Sequence, residues 1–164
     1  MLIGVLSDTH LFSEDILEKR PMFRRLESIV LDAFKDVDEI IHAGDVISPE
    51  VIEYLSRFAP VLVVRGNGDF DVDGDHWKKS QCIRREEVKI AIAHQRVDLL
   101  PYVNEGVSVF IFGHSHIPVI ERNEDGTIWM NPGSIKRPCG PIRKPTVGFL
   151  RIEAKKIEVW LQEF

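Results

Sequence analysis

The stretch Met1-Leu2-Ile3-Gly4-Val5-Leu6-Ser7-Asp8-Thr9-His10 decides how the rest of the chain reads. A short apolar run, Leu2 to Leu6, is followed by two side chains of kinds that can bind a metal, Asp8 and His10. No basic segment precedes the run and Asp8 interrupts it early, so it reads as a strand and not as a signal peptide. The same pattern recurs downstream. Glu39–Ala43 leads into Gly44-Asp45, and Val61–Arg65 into Gly66-Asn67-Gly68-Asp69. Lys89–Ala93 leads into His94, and Val109–Phe112 into Gly113-His114-Ser115-His116. In open α/β sheets, ligands bind beyond the carboxyl ends of the strands, so neighbouring strands would bring these residues to one cleft.

Between the strands the period changes. Phe23, Leu26, Ile29, Val30, Ala33, Phe34 and Val37 recur at three- and four-residue spacing, which predicts an amphipathic helix from Pro21. Ser48-Pro49-Glu50 opens a second helix running to about Phe58, with Ser48 as N-cap. Val61 to Val64 reads as a strand buried on both faces. Strand, helix, strand, helix, strand implies a parallel sheet covered by helices. The second half predicts strands over 88–93, 109–112, 119–122 and 127–130, and a short helix around Asp98 to Val103. The closing pair, Val147–Ile152 and Ile157–Leu161, reads as a hairpin in a second, mixed or antiparallel sheet packed on the first. The chain has no repeat, low-complexity tract or linker, and its 164 residues suit one domain, 1–164.

Composition narrows the function classes. The formal net charge of -5 argues against nonspecific nucleic-acid binding, which needs clustered Lys and Arg. It does not exclude a small anionic substrate, because bound cations can dominate a local field. No apolar run approaches the roughly 20 residues that cross a bilayer. Cys82 and Cys139 are far apart and form no CxxC pair, so they read as reduced thiols. The expectation is a cytoplasmic protein without a membrane or nucleic-acid partner, with homo-oligomerisation left open.

The candidate ligands are Asp8, His10, Asp45, Asn67, His94, His114 and His116. Oxygen and imidazole without thiolate suit Mn, Fe, Zn, Ni or Co better than Cu(I) or a cluster. Seven side chains, one of them shared, give four bonds to each of two metals and leave positions open for water and substrate. Taken singly, each piece has a bland explanation: Gly44-Asp45 is a common turn, and a lone His94 is a packed histidine. In order, at five successive strand ends, they are hard to explain otherwise. His42 lies inside its strand and reads as a packing residue beneath the site. His76 and Trp77, beside the acidic run 71–75, read as a solvated face.

The ordered motifs Asp8-Thr9-His10, Gly44-Asp45, Gly66-Asn67-Gly68-Asp69, His94 and Gly113-His114-Ser115-His116 resemble the calcineurin-like metallophosphoesterases. The short chain and Asn131-Pro132-Gly133-Ser134 resemble the small bacterial and archaeal phosphodiesterase branch of that superfamily. The resemblance implies a four-layer α/β/β/α sandwich with two mixed sheets flanked by helices. It also implies that Asp8, His10 and His116 hold one metal, Asn67, His94 and His114 the other, with Asp45 bridging. Two departures stand out. Gly68 occupies the place of a histidine that many relatives have, and His94-Gln95-Arg96 replaces their His-Gly-His.

The function expected from this reading is metal-dependent hydrolysis of a small phosphoester, a phosphodiester first. The attacking group would be a hydroxide bridging two divalent metals, with Mn2+ ahead of Ni2+, Fe2+, Zn2+ or Co2+. Asn67 and His94 would also orient a phosphoryl oxygen, and Arg96 and Asn131 would contact substrate. The alternatives are a non-catalytic protein-binding scaffold like the small retromer subunit of this fold, a phosphomonoesterase or nucleotide hydrolase, and, more remotely, a nuclease.

Overall fold

A computed structural model describes residues 1–69 and 77–164. His76 and the acidic run 71–75 lie outside the described residues. In chain order the elements are β1 (Leu2–Leu6), α1 (Ser13–Leu17), α2 (Pro21–Ala33), β2 (Glu39–His42), α3 (Pro49–Leu55), β3 (Val61–Val63), β4 (Ser80–Arg85) and β5 (Val88–Ala93). A 3-10 helix (Arg96–Tyr102), β6 (Val109–Ile111), β7 (Val119–Arg122), β8 (Ile128–Asn131), β9 (Thr146–Glu153) and β10 (Lys156–Glu163) follow.

The strands form two mixed five-stranded sheets, ordered β10-β9-β1-β2-β3 and β4-β5-β6-β8-β7. Three apolar layers hold them together. Phe23, Leu26 and Val30 from α2 and Phe34 just beyond it, with Val51 and Leu55 from α3, pack on the outer face of the first sheet. Ile3, Val5 and Ile41 meet Ile90, Ile92, Val109 and Met130 between the sheets. Leu99 of the 3-10 helix packs with Phe110, Phe112 and Trp129 outside the second sheet. This is the α/β/β/α sandwich. Arg85 of β4 also donates to buried Glu39 of β2, joining the two sheets.

Register explains how the strands position the loops. β1, β2 and β3 run parallel, with Leu6 opposite His42 and His42 opposite Val63. Their carboxyl ends therefore release Asp8, Asp45 and Asn67 along one edge. In the second sheet β5, β6 and β8 run parallel, with Ile92 opposite Ile111 and Ile111 opposite Met130. His94, Gly113 and Asn131 consequently emerge together.

The structure corrects several expectations. The C-terminal hairpin extends the first sheet, because β9 pairs antiparallel with β1. α1, only five residues long, was not predicted. β4 was not predicted at all: it is an edge strand of mixed polarity whose residues are mostly half-buried, so no apolar alternation marks it. Val61 and Leu62 are likewise half-buried, since β3 is an edge. α2 stops at Ala33, and Phe34 and Val37 remain in the core from the turn beyond it. Trp77 packs against the α2–α3 core instead of facing solvent.

Candidate metal centre

Asp8 and Asp45 lie at the bottom of the cleft, 0% and 3% exposed. Asp8 Oδ1 is 3.2 Å from His116 Nε2, 3.7 Å from His10 Nε2 and 3.8 Å from His94 Nε2. Asp45 Oδ2 is 3.4 Å from His94 Nε2 and 3.5 Å from His10 Nε2. Two groups share Asp8: Asp8, His10 and His116, and Asp8, Asp45 and His94; within each, the ligand atoms lie within 4.8 Å of one another. His114 and Asn67 sit at the exposed rim. The His114 ring is 5.2 Å from that of His94, and Asn67 Oδ1 faces Gln95 Nε2 at 3.5 Å.

The surrounding bonds aim these atoms inward. His94 Nδ1–H donates to Ala43 O at 2.8 Å and His116 Nδ1–H to Arg137 O at 2.9 Å, so each Nε2 presents its lone pair to the cleft. Asp8 Oδ2 accepts from Ser7 Oγ at 2.6 Å and from the His114 N–H at 3.0 Å. Asp45 Oδ1 accepts from the Gly68 N–H at 2.6 Å. In both carboxylates the second oxygen is left to face the imidazoles.

The backbone bends to achieve this. Asp8, His10, Asp45, His114 and His116 have φ of 54°, 46°, 56°, 68° and 58°, the left-handed region that L-residues avoid. Outliers concentrated on ligand-type residues mark a functional site. The loops also touch closely. A Cβ on Gly66 would lie 2.1 Å from Asp45 Oδ1, and one on Gly113 would lie 1.9 Å from Ser7 Oγ.

The donor set fits a divalent cation. Asp8 Oδ1 and His94 Nε2 are buried and without a hydrogen-bond partner among the described residues. Leaving such a group unpaired costs on the order of 1–3 kcal/mol. His10 Nε2 and His116 Nε2 face each other at 3.3 Å, and the His116 tautomer makes its nitrogen an acceptor there. A cation between them would resolve both conditions.

Electrostatics agree. Burial alone would raise the Asp8 carboxyl, but His10, His116, His94 and Ser7 outweigh it and hold it well below the usual carboxylate range. Burial opposes the same effect at Asp45, where His94 and the Gly68 N–H lower it. Burial would lower His94, but Asp45 and Asp8 raise it; Asp8 raises His116 against burial. His42 is different. Burial pushes it down to about 4, and it is neutral, accepting from the Gly44 N–H at 3.2 Å and facing Thr9 Oγ1 at 3.1 Å.

A sign follows for pH. Raised His94 and His116 stabilise the metal-free fold below their unfolded pKa, and that contribution is lost as pH rises through the folded values. A metal ion must displace those protons, so its stabilisation grows with pH. The rise in Tm on adding saturating Mn2+ is expected to be larger at pH 8 than at pH 5.5, by about 3–6 °C. Differential scanning fluorimetry checks this, and an equal rise at both values would refute it.

Two residues expected at the substrate are engaged by protein partners. Asn131 is 0% exposed; its Nδ2–H donates to Gly113 O at 2.7 Å and Ser115 Oγ at 3.0 Å, and its Oδ1 accepts from the Gly133 N–H at 2.8 Å. It braces the Gly113–His116 loop from beneath. Arg96 donates to both carboxylate oxygens of Glu121, at 3.0 and 2.6 Å, and stacks 4.6 Å over Trp129. Its charge is matched on the outer sheet.

Asp69 was quoted within its motif but given no role. It is 4% exposed and accepts from the N–H groups of Asp45, Gly66 and Ile47 at 3.1, 2.7 and 2.8 Å. It ties the β2 and β3 loops into one unit. The signal available was a carboxylate ending a Gly-rich turn, which donor-rich turns require. Asp69→Ala is expected to weaken Mn2+ binding about 10- to 100-fold, as loss of a supporting partner does. Titration calorimetry gives the constant, and unchanged affinity in a folded variant would contradict the role.

Residues 1–155 match the calcineurin-like phosphoesterase superfamily domain. The chain belongs to this superfamily. A Methanothermobacter thermautotrophicus protein described as a "probable metallophosphoesterase" is 36% identical over 96% of this chain and 90% of its own length. Phosphodiesterase YfcE of Escherichia coli K12 is 30% identical over 79% of this chain and 80% of its own. The solved structure of an archaeal phosphodiesterase is 25% identical, with a TM-score of 0.70 over 99% of this chain and 100% of that one. This calcineurin-like phosphoesterase is therefore an enzyme of the phosphoric ester hydrolases, in a family that implies divalent metals. Among the described residues, no helix is long and apolar enough to cross a membrane.

Proposed function

We propose that the chain is a phosphodiesterase acting on small phosphoesters through two divalent ions, Mn2+ first, held within one domain spanning residues 1–164. The supporting observation is the pair of buried carboxylate oxygens, Asp8 Oδ1 and Asp45 Oδ2, that face three imidazole Nε2 atoms at 3.2–3.8 Å. Asp8, His10 and His116 would hold one ion, Asn67, His94 and His114 the other, with Asp45 shared. When bound, such a pair supplies Lewis acidity and lowers the pKa of water toward neutrality.

The chain's own residues do the rest. The carboxylates supply the negative charge that retains the ions. The Ala43 and Arg137 carbonyls fix the tautomers of His94 and His116, which keeps each Nε2 a ligand. Asn67, exposed at the rim, has an amide N–H that can donate to a phosphoryl oxygen beside His94. Asn131 and Asp69, both buried, hold the rim loops in place before substrate arrives, which avoids reorganisation during reaction.

The test is hydrolysis of bis(4-nitrophenyl) phosphate by chelated protein, then after re-addition of Mn2+, Ni2+, Zn2+ or Co2+, beside 4-nitrophenyl phosphate and single-stranded DNA binding. Metal-restored cleavage favouring the diester is expected. Absence of cleavage with every metal would return the chain to a scaffold role, and a monoester preference would make it a phosphomonoesterase.

A further inference from the structure

On the Asn67 and His94 side, the centre opens into a cleft of about 400 Å³. Among the described residues its lining, from Arg65 to Asp98, carries polar or charged side chains apart from Gly66, and its one ring is the His94 imidazole. The charges in the cleft are not equivalent. Asp69 is committed to three backbone N–H groups. Lys79 Nζ pairs with Asp98 Oδ1 at 2.8 Å. Arg65 is exposed and has no carboxylate partner among the described residues. Its N–H donates to Lys78 O at 2.9 Å, which fixes its backbone two residues before Asn67.

We propose that Arg65 is a specificity-determining residue that binds a second anionic group, phosphate or carboxylate, on the alcohol arm of the substrate lying in this cleft. This rests on the phosphoesterase reading of the adjoining centre. The scissile phosphate sits at the carboxylate–imidazole cluster and its arm extends past Asn67 toward the guanidinium. The planar fork of arginine suits either anion through paired N–H donors. Gln95, half-buried on the same wall, supplies a neutral amide that neither repels nor replaces that charge.

The experiment uses three phosphonates of equal chain length on the Mn2+-loaded protein: propylphosphonate, 3-phosphonopropionate and propane-1,3-bisphosphonate. Calorimetry at fixed free Mn2+ gives each Kd without turnover. The wild type is expected to bind at least one of the two charged-tail compounds about 10-fold more tightly than propylphosphonate, the size of a charge-assisted contact. The larger gain names the anion. In Arg65→Gln the ratio falls to near unity, and in Arg65→Lys it is partly kept. Gln95→Glu places a negative charge in the same cleft and lowers the ratio independently, so one poorly folded variant does not decide the matter. No gain in the wild type, or an unchanged ratio in Arg65→Gln, overturns the proposal. If no phosphoester is cleaved with any metal, the phosphoesterase reading fails, while the Kd ratios still decide whether Arg65 reads an anion.

Discussion

Asp45→Asn is expected to lower kcat/KM on bis(4-nitrophenyl) phosphate by about 10³-fold or more, some 4 kcal/mol of transition-state stabilisation. The substitution keeps the shape and removes the charge. Asp45 Oδ1 accepts from the Gly68 N–H at 2.6 Å, so the amide oxygen of Asn takes that place. Its NH2 then points at His94 Nε2 and His10 Nε2, where Oδ2 stood at 3.4 and 3.5 Å. A donor replaces the lone pair that a cation needs. Because Oδ2 faces histidines of both groups, both ions are weakened together. Metal content by mass spectrometry and turnover are measured after exhaustive chelation and re-addition. Wild-type turnover in re-metallated Asp45→Asn would end the shared-carboxylate role. The geometry makes Asp8 nearly as sensitive, since its Oδ1 touches three imidazoles while its Oδ2 anchors the His114 N–H.

What the sequence disclosed depends on how local each determinant is. The ends of β1, β2, β3, β5 and β6 were legible because an apolar run and the residue after it are adjacent in the chain. The parallel order of β1, β2 and β3 followed from intervening helices, which the 3.6-residue period announces. Placement of β9 and β10 was not legible: pairing of Val5 with Gly148 joins residues far apart in sequence, and a hairpin reads the same whichever sheet receives it. Asn131 illustrates a second limit. A polar residue after a strand signals a site, but only the fold tells whether its amide faces the cleft or, as here, the carbonyl of Gly113 beneath it. Arg96 was expected to contact substrate because its partner, Glu121, lies on β7, distant in sequence from the 3-10 helix that Arg96 opens. Asp69 was passed over because its three donors come from two loops that meet only in the folded protein.

Turnover should depend steeply on the acidity of the leaving group. Cleavage releases an oxyanion, and an alkoxide whose conjugate acid has a pKa near that of water, about 15.7, needs a proton or a cation, whereas an aryl oxide leaves unaided. Gly68 stands where the resemblance places a histidine in many relatives, and glycine offers no proton. Loss of one general acid is worth roughly 10²- to 10⁴-fold, and aryl diesters should outpace alkyl ones by at least that factor. Gly68→His is expected to flatten the dependence by speeding the alkyl members. The backbone here does not require glycine for a positive φ, since Gly68 is absent from that region. Space is the constraint: a Cβ would lie 3.0 Å from Ile47 Cδ1 and 3.1 Å from Asp45 Oδ1. Any side chain therefore presses on the carboxylate that the Gly68 N–H itself positions, and some loss on every substrate accompanies the substitution. Gly68→Ala carries the same crowding without a proton donor, so the comparison of His with Ala isolates proton donation. The measurement is kcat/KM for phosphodiesters of graded leaving-group pKa, on wild type, Gly68→Ala and Gly68→His, at matched Mn2+ loading. A flat series in the wild type would mean that another group donates the proton, that a cation stabilises the alkoxide or that chemistry is not rate-limiting, and identical slopes for the Ala and His variants would show that position 68 cannot deliver a proton.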